Sequence, residues 1–365
     1  MKNIYHIIGA MSGTSLDGLD LAYCRFWEEE EEEDGNWKYK IVHTECIGYS
    51  PEWKTKLKNA PALNGYELSL LDREFGSYIG ERCSSFIIKN HLKADYIASH
   101  GHTVFHNPAQ KLTVQIGHGT SIAEETGLPV ICDFRTMDVA AGGQGAPLVP
   151  MGDAMLFSEY DICLNLGGIA NLSYEKDGKR IAFDICPCNI ILNAIAMQAG
   201  KEYDKDGEIA LKGKPDKEWL DALDKWKYYA LPAPKSLHKE ELLGFWDSFL
   251  NSKLDIADKM ATASAHIAKR INIEAGNPGI KNAKILVTGG GAFNKTLLNH
   301  LRQQNDVQYI VPPDEVVNFK EALIFAFLGL LRVLGRPNCL SSVTGARHDT
   351  VGGAIYGNYE LKIRN

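Results

Sequence analysis

Apolar and β-prone residues fill positions 4–11, and the run breaks at Ser12-Gly13-Thr14-Ser15-Leu16-Asp17-Gly18 before a second β-prone run over 19–26. Two such runs joined by a glycine-bearing turn predict a hairpin. Asp34-Gly35-Asn36 marks a second turn, and 38–49 alternates apolar and polar positions as a third strand. Helical periodicity covers 64–93. A short strand is expected at 94–99, leading into His100-Gly101-His102. Strands at 112–116 and 128–133 then flank a short helix at 121–126.

The second half opens in the same way. A strand beginning at Ile162 runs into Leu166-Gly167-Gly168-Ile169 and returns to Ser173. Asp177-Gly178 makes a hairpin turn, and 180–184 is the third strand. Helices are expected at 189–200, 217–226, 253–275 and 319–334, with a strand at 284–288 ending in Gly289-Gly290-Gly291. Little residue identity links the halves, so the repeat is one of pattern. Three-strand meanders followed by alternating helices and strands predict mixed sheets with helices packed on them. We place an N-terminal domain at 1–131, with a C-terminal helix at 350–365 packing back on it, and a second domain at 132–349. Gly142 to Pro147 is the best candidate for the crossing, or else lines the cleft that two such domains would enclose.

Composition narrows the class. The chain has 365 residues, 45% hydrophobic and 23% charged, as in an ordinary globular protein. Its 39 basic and 46 acidic residues give a net charge of −7, and the run Glu28 to Asp34 accounts for that excess. A neutral body with one acidic tuft, read as a solvated hairpin tip, lacks the basic face of a nucleic-acid binder. No apolar stretch approaches the ~18 residues of a membrane span, and no signal peptide is evident. Eight scattered cysteines without paired CxxC units point to reduced thiols in a cytoplasmic protein.

Several residue groups carry possible chemistry. Ser12 to Gly18 offers backbone N–H groups and the Thr14 and Ser15 hydroxyls to a phosphate, or is an ordinary turn; Asp17 could hold a metal-bound water. Gly167-Gly168 and Gly289-Gly290-Gly291 would let backbone approach a charged ligand closely. Neither a Walker loop nor a Rossmann fingerprint is present. Asp184 ends a strand before a helix, as a cleft-facing carboxylate or a helix cap. Arg135 follows a strand end, near Asp133 and Asp138, as a carboxylate fork or a loop ion pair. His100, His102, His106 and His118 cluster in sequence without metal-ligand spacing. Glu321, on an apolar helix, must pair within the protein or with ligand hydroxyls.

Longer motifs bring a resemblance. Gly9 to Asp20, Ser99 to Val104, Asp133 to Pro150, Asn165 to Asn171, Gly289 to Asn294, Glu321-Ala322 and Val343 to Ala346 resemble the anhydro-N-acetylmuramic acid kinase family, of the sugar kinase, heat-shock chaperone and actin superfamily. The resemblance spans almost the whole chain. It implies an α/β fold of two RNase H-like (actin-like ATPase) domains, with mixed sheets flanked by helices and an interdomain cleft.

It further implies an enzyme using ATP and Mg2+ in cell-wall recycling. That enzyme hydrolyses the 1,6-anhydro bond of its sugar and phosphorylates O6, giving N-acetylmuramic acid 6-phosphate. By matching positions, Gly13, Thr14, Ser15, Leu16, Asp17, Gly18, Leu19 and Asp20 would contact ATP phosphates; Gly167, Gly168 and Gly289 to Gly291 are our own further candidates for nucleotide contact. Asp184 would be the base and Glu321 would bind sugar. We add Arg135 for the lactyl carboxylate and Asp17 for Mg2+ through water. The expected partner is a small-molecule anhydro amino sugar, with a homodimer left open and neither nucleic acid nor membrane.

The chain departs from the family pattern at Cys186 and Cys188, where glycines are usual, and at Asn193, where an acid is. Lys239 replaces an Arg, Asp153 a His, His102 a Gln and His118 an Asp. Phosphate positions are kept and the sugar's surroundings have drifted. A kinase for another sugar, or a non-catalytic binding protein with the same cleft, therefore stay as rivals.

Overall fold

The computed structural model describes residues 3–13, 15–29, 36–237, 239–303 and 307–358. Twelve strands are present among the described residues. They are β1 (Tyr5–Ser12), β2 (Gly18–Glu29), β3 (Asn36–Gly48), β4 (Tyr96–Asn107), β5 (Leu112–Ile116), β6 (Val130–Cys132), β7 (Ile162–Leu166), β8 (Ile169–Lys176), β9 (Lys179–Pro187), β10 (Ala283–Thr288), β11 (Val307–Ile310) and β12 (Ala354–Tyr356). The chain divides into two compact units. Unit 1 runs to Leu156 and resumes at Phe319; unit 2 is Phe157–Asn318.

In unit 1 the sheet order is β12-β6-β4-β1-β2-β3, with β5 paired to β4. The meander β1-β2-β3 is antiparallel, whereas β4 pairs parallel to both β1 and β6. The helix Gly65–Lys89 covers this sheet and starts at a reciprocal cap, with Asn64 accepting from the Glu67 N–H and Glu67 accepting from the Asn64 N–H. Its buried Phe75, Ile79 and Phe86 join Ile8, Leu19, Leu21 and Ile97 in one core.

Unit 2 repeats the plan in the order β11-β10-β7-β8-β9. The meander β7-β8-β9 is antiparallel and β10 pairs parallel to β7 and β11. The long helix Ile256–Gly276 seals the core with Met260, Ala263, Ile267 and Ile271 against Ile162, Leu164 and Ile185. The expected strand-turn-strand-hairpin-strand opening is therefore present in both halves. Residues 30–35, the rest of the acidic tuft, lie outside the described residues.

The domain limits differ from the sequence expectation. Residues 132–156 belong to unit 1, because β6 pairs with β4 and the following loop is tied to Thr344 and Arg347. Gly142 to Pro147 thus lies inside unit 1 and is not the crossing. Residues 319–349 also return to unit 1, since the helix Asp314–Val333 packs onto β1. At 350–365 the expected helix is replaced by β12, paired antiparallel with β6; Gly352-Gly353 oppose helix there, and 359–365 lie outside the described residues.

Candidate active site

The turn between β1 and β2 is built from both strands. Leu16 N–H donates to the Gly13 carbonyl at 3.3 Å, and Leu16 itself takes a left-handed φ of 60°. Ser15 and Asp17 are exposed, and Thr14 lies outside the described residues. Behind the turn, Tyr49 Oη donates to Ser12 Oγ at 2.7 Å, and His102 Nδ1 lies 3.4 Å from the same hydroxyl. Leu19 points into the core and is 0% exposed, so its side chain packs rather than facing a ligand.

Asp20 sits opposite Met11 and Cys46, half-buried. Burial raises its carboxyl above the usual range; a hydrogen bond with the Cys46 thiol opposes this, and the charge of Asp17 adds to it. Two acids that sense each other beside a glycine-bearing turn fit a divalent cation. Mg2+ commonly takes only one or two carboxylates and completes its shell with phosphate and water. Among the described residues no three metal-ligating side chains gather into a cage, so such an ion would depend on the nucleotide.

Glu321 owes its position to Gly9. A Cβ on Gly9 would lie 1.9 Å from the Ala322 carbonyl, so only glycine lets the helix Asp314–Val333 press onto β1. Glu321 is exposed by area yet ringed by enough protein that desolvation raises its carboxyl, with Arg135 opposing and Asp20 adding. Among the described residues it has no ion-pair partner within 4 Å. The preceding residue, Lys320, is buried and pairs with Asp153 at 2.7 Å, giving the departure at position 153 an internal partner.

Arg135 is held on two sides. Its Nε and Nη2 donate to His100 Nε2 at 3.1 and 2.9 Å, and Nη1 donates to the Gly145 carbonyl at 2.7 Å. His100 Nδ1 donates to the Gly101 carbonyl at 2.9 Å, which fixes the tautomer and leaves Nε2 as the acceptor. Burial and the adjacent guanidinium push the His100 pKa down to about 3, so the ring stays neutral. Gly145 is held in turn by Asp138, whose carboxylate also accepts from Thr344 and Cys339. Among the described residues the loop-ion-pair alternative for Arg135 is not realised, since its hydrogen-bond partners there are an imidazole and a carbonyl.

Unit 2 brings Gly167-Gly168 together with Gly289 to Gly291. Cys188 and Ile190 N–H groups donate to the Gly168 carbonyl and Asn189 N–H to that of Gly167. Gly289 has φ 81°, and a Cβ there would sit 2.5 Å from Asn165 Oδ1. Asp184 lies opposite Asn171 on β9 and is half-buried. It does not cap the next helix, which begins at Asn189 behind Cys188. Three contacts hold it instead. Its N–H donates to the Lys235 carbonyl at 3.0 Å, its carbonyl accepts from Tyr228 Oη at 2.7 Å, and its Oδ2 accepts from the Leu237 N–H at 2.9 Å.

The remaining sequence signals resolve locally. Cys186 and Cys188 are fully buried, and burial raises both thiols, that of Cys188 to about 12, so neither is a thiolate at neutral pH. Neither residue has a positive φ, so the replaced glycines leave no left-handed strain. His118 caps the helix Gly119–Thr126 through Nδ1, accepting from Thr120 N–H, which is how an imidazole serves at a position where an acid is usual. Asp138 and Tyr228 have roles that spacing alone did not assign. Asp138 was visible as an acid in a glycine-rich motif, but nothing in sequence marked its partners.

The sequence model described as anhydro-N-acetylmuramic acid kinase matches residues 5–358. A protein of that name from Shewanella sp. (strain ANA-3) is 34% identical over 380 residues, covering 98% of this chain and 99% of its own. Another from Rhodopseudomonas palustris (strain BisB18) is 35% identical over 375 residues, covering 95% and 98%. A third, from Xanthomonas campestris pv. campestris (strain 8004), is 33% identical over 372 residues and covers 96% of each. With agreement over nearly its whole length, the chain belongs to the anhydro-N-acetylmuramic acid kinase family.

Proposed function

We propose that this chain is an ATP-dependent kinase that opens the 1,6-anhydro bond of anhydro-N-acetylmuramic acid and phosphorylates O6, yielding N-acetylmuramic acid 6-phosphate for cell-wall recycling in the cytoplasm. Asp184 takes a proton from water as the water oxygen bonds to C1. The C1–O6 bond breaks, O6 bonds to the γ-phosphorus, and ADP leaves. Water and ATP supply every atom gained, so no further reactant is needed.

The observation that carries this reading is the setting of Asp184. It is a half-exposed carboxylate whose backbone is pinned twice and whose Oδ2 accepts a backbone N–H, which fixes its aim. A general base contributes through such placement before anything else. Arg135 meets the lactyl carboxylate with the N–H groups that His100 and Gly145 leave over. Glu321 accepts from sugar hydroxyls. The turn around Gly13 and Ser15, with Gly167, Gly168 and Gly289 to Gly291, meets the nucleotide. Asp17 and Asp20 would hold Mg2+, which supplies charge neutralisation on the phosphates.

Purified protein incubated with ATP, Mg2+ and the anhydro sugar tests the proposal. The expected result is ADP and sugar phosphate in equal amounts. ADP formed only with a different sugar would favour the kinase of other specificity, and nucleotide binding without ADP would favour the non-catalytic binding protein.

A further inference from the structure

Lys235 and Glu274 form a buried ion pair that the reaction as described does not use. Their side chains are 4% and 8% exposed, and Lys235 Nζ lies 3.1 Å from Glu274 Oε1. The ammonium also faces two aromatic rings, Phe183 at 5.6 Å and Tyr228 at 5.1 Å. Glu274 lies in the last turn of the helix Ile256–Gly276, and its other oxygen accepts from Asn277 Nδ2 at 2.7 Å. Burying a lysine costs free energy that neither the helix nor the sheet requires.

Both aromatic neighbours of this ammonium adjoin Asp184. Phe183 precedes it on β9. Tyr228 donates to its carbonyl. The backbone carbonyl of Lys235 takes its N–H, and the Leu237 N–H, two residues further on, reaches its Oδ2. The segment around Lys235 is not part of a helix or strand, and Leu237, buried in the core, is its other anchor.

We infer that the Lys235–Glu274 pair is a positioning device that clamps the Pro234–Leu237 segment to the end of the helix and thereby aims the Asp184 carboxylate. Lys235 and Glu274 are positioning residues and touch no reacting atom. The inference rests on the reading of Asp184 as the base.

Glu274→Ala tests it, with the isosteric Glu274→Gln as the variant that keeps the fold if the first does not. Ionisable groups around this part of Asp184 are Tyr228, Lys235 on the clamp, Glu274 and Arg270 on the helix, Cys186 on β9, and Glu241, whose charge reaches Tyr228. Electrostatics alone would move the acid limb of kcat to lower pH, because a negative charge has been removed. Loss of the clamp moves it to higher pH, because the Leu237 N–H no longer favours the charged carboxylate.

We expect kcat to fall by about tenfold to a hundredfold, as for a misplaced group. KM for ATP should stay within about twofold and the acid limb should move up. A folded variant with unchanged kcat, or with the acid limb moved down, overturns the inference. Failure of the underlying reading shows differently, as wild-type turnover in Asp184→Asn.

Discussion

Unit 1 and unit 2 each begin with a glycine-bearing turn between the first two strands of an antiparallel meander, yet the two turns are finished in different ways. The β1–β2 turn carries exposed Ser15 and Asp17, with Asp20 half-buried just beyond, and a single N–H from after β3, that of Tyr49, donates to the Asp17 carbonyl at 3.4 Å. The β7–β8 turn is closed from behind, since three N–H groups at the start of the following helix donate to the Gly167 and Gly168 carbonyls. An exposed acidic turn can meet a cation from solvent. A closed turn fixes the neighbouring strand, and β9 is the strand that carries Asp184. The same backbone plan thus ends in an exposed acidic turn in one unit and in a turn tied to the next helix in the other.

Variants on the two sides test this division. Asp184→Asn should lower turnover by about 10³-fold, the range of a lost general base, with ATP affinity little changed in a binding titration. Comparable loss of ATP binding would erase the distinction. Next in size, Gly9→Ala places a methyl 1.9 Å from the Ala322 carbonyl and should cost about 3 kcal/mol in a denaturant melt. Wild-type stability would mean that the helix bearing Glu321 is not held against β1 as described.

Arg135→Ala removes charge-assisted hydrogen bonds and should raise KM for the anhydro sugar by about ten- to a hundredfold, with KM for ATP unaltered. Unchanged sugar KM would remove Arg135 from the substrate. The smallest effect belongs to the exposed turn. Asp17→Asn should raise the Mg2+ concentration for half-maximal rate by about two- to fivefold, as expected for an exposed charge. An unchanged Mg2+ dependence would leave the cation to Asp20 and the phosphates.

Much of this was legible beforehand because it is local. Alternation and glycine-marked turns announced both meanders, while Asp184 was marked only as an acid at a strand end and Glu321 as an acid on an apolar helix. What was hidden depends on contacts far apart in sequence. Asp138 meets Thr344 and Cys339 about two hundred residues later, and Gly9 meets Ala322 across the chain. The domain limits were misplaced for the same reason. The chain leaves unit 1 and returns at Phe319 within a helix, with no linker composition to mark it. The backbone hold on Asp184 was invisible too, since a carbonyl or N–H from Lys235 or Leu237 has no side-chain signature.

Turnover in water enriched in heavy oxygen examines the proposed chemistry most directly, with the product quenched before its anomeric hydroxyl exchanges. The account predicts one heavy atom at C1 of the sugar phosphate and none in the phosphoryl group. Label in phosphate, with the sugar unlabelled, would mean that water attacks phosphorus and that Asp184 does not serve the acetal.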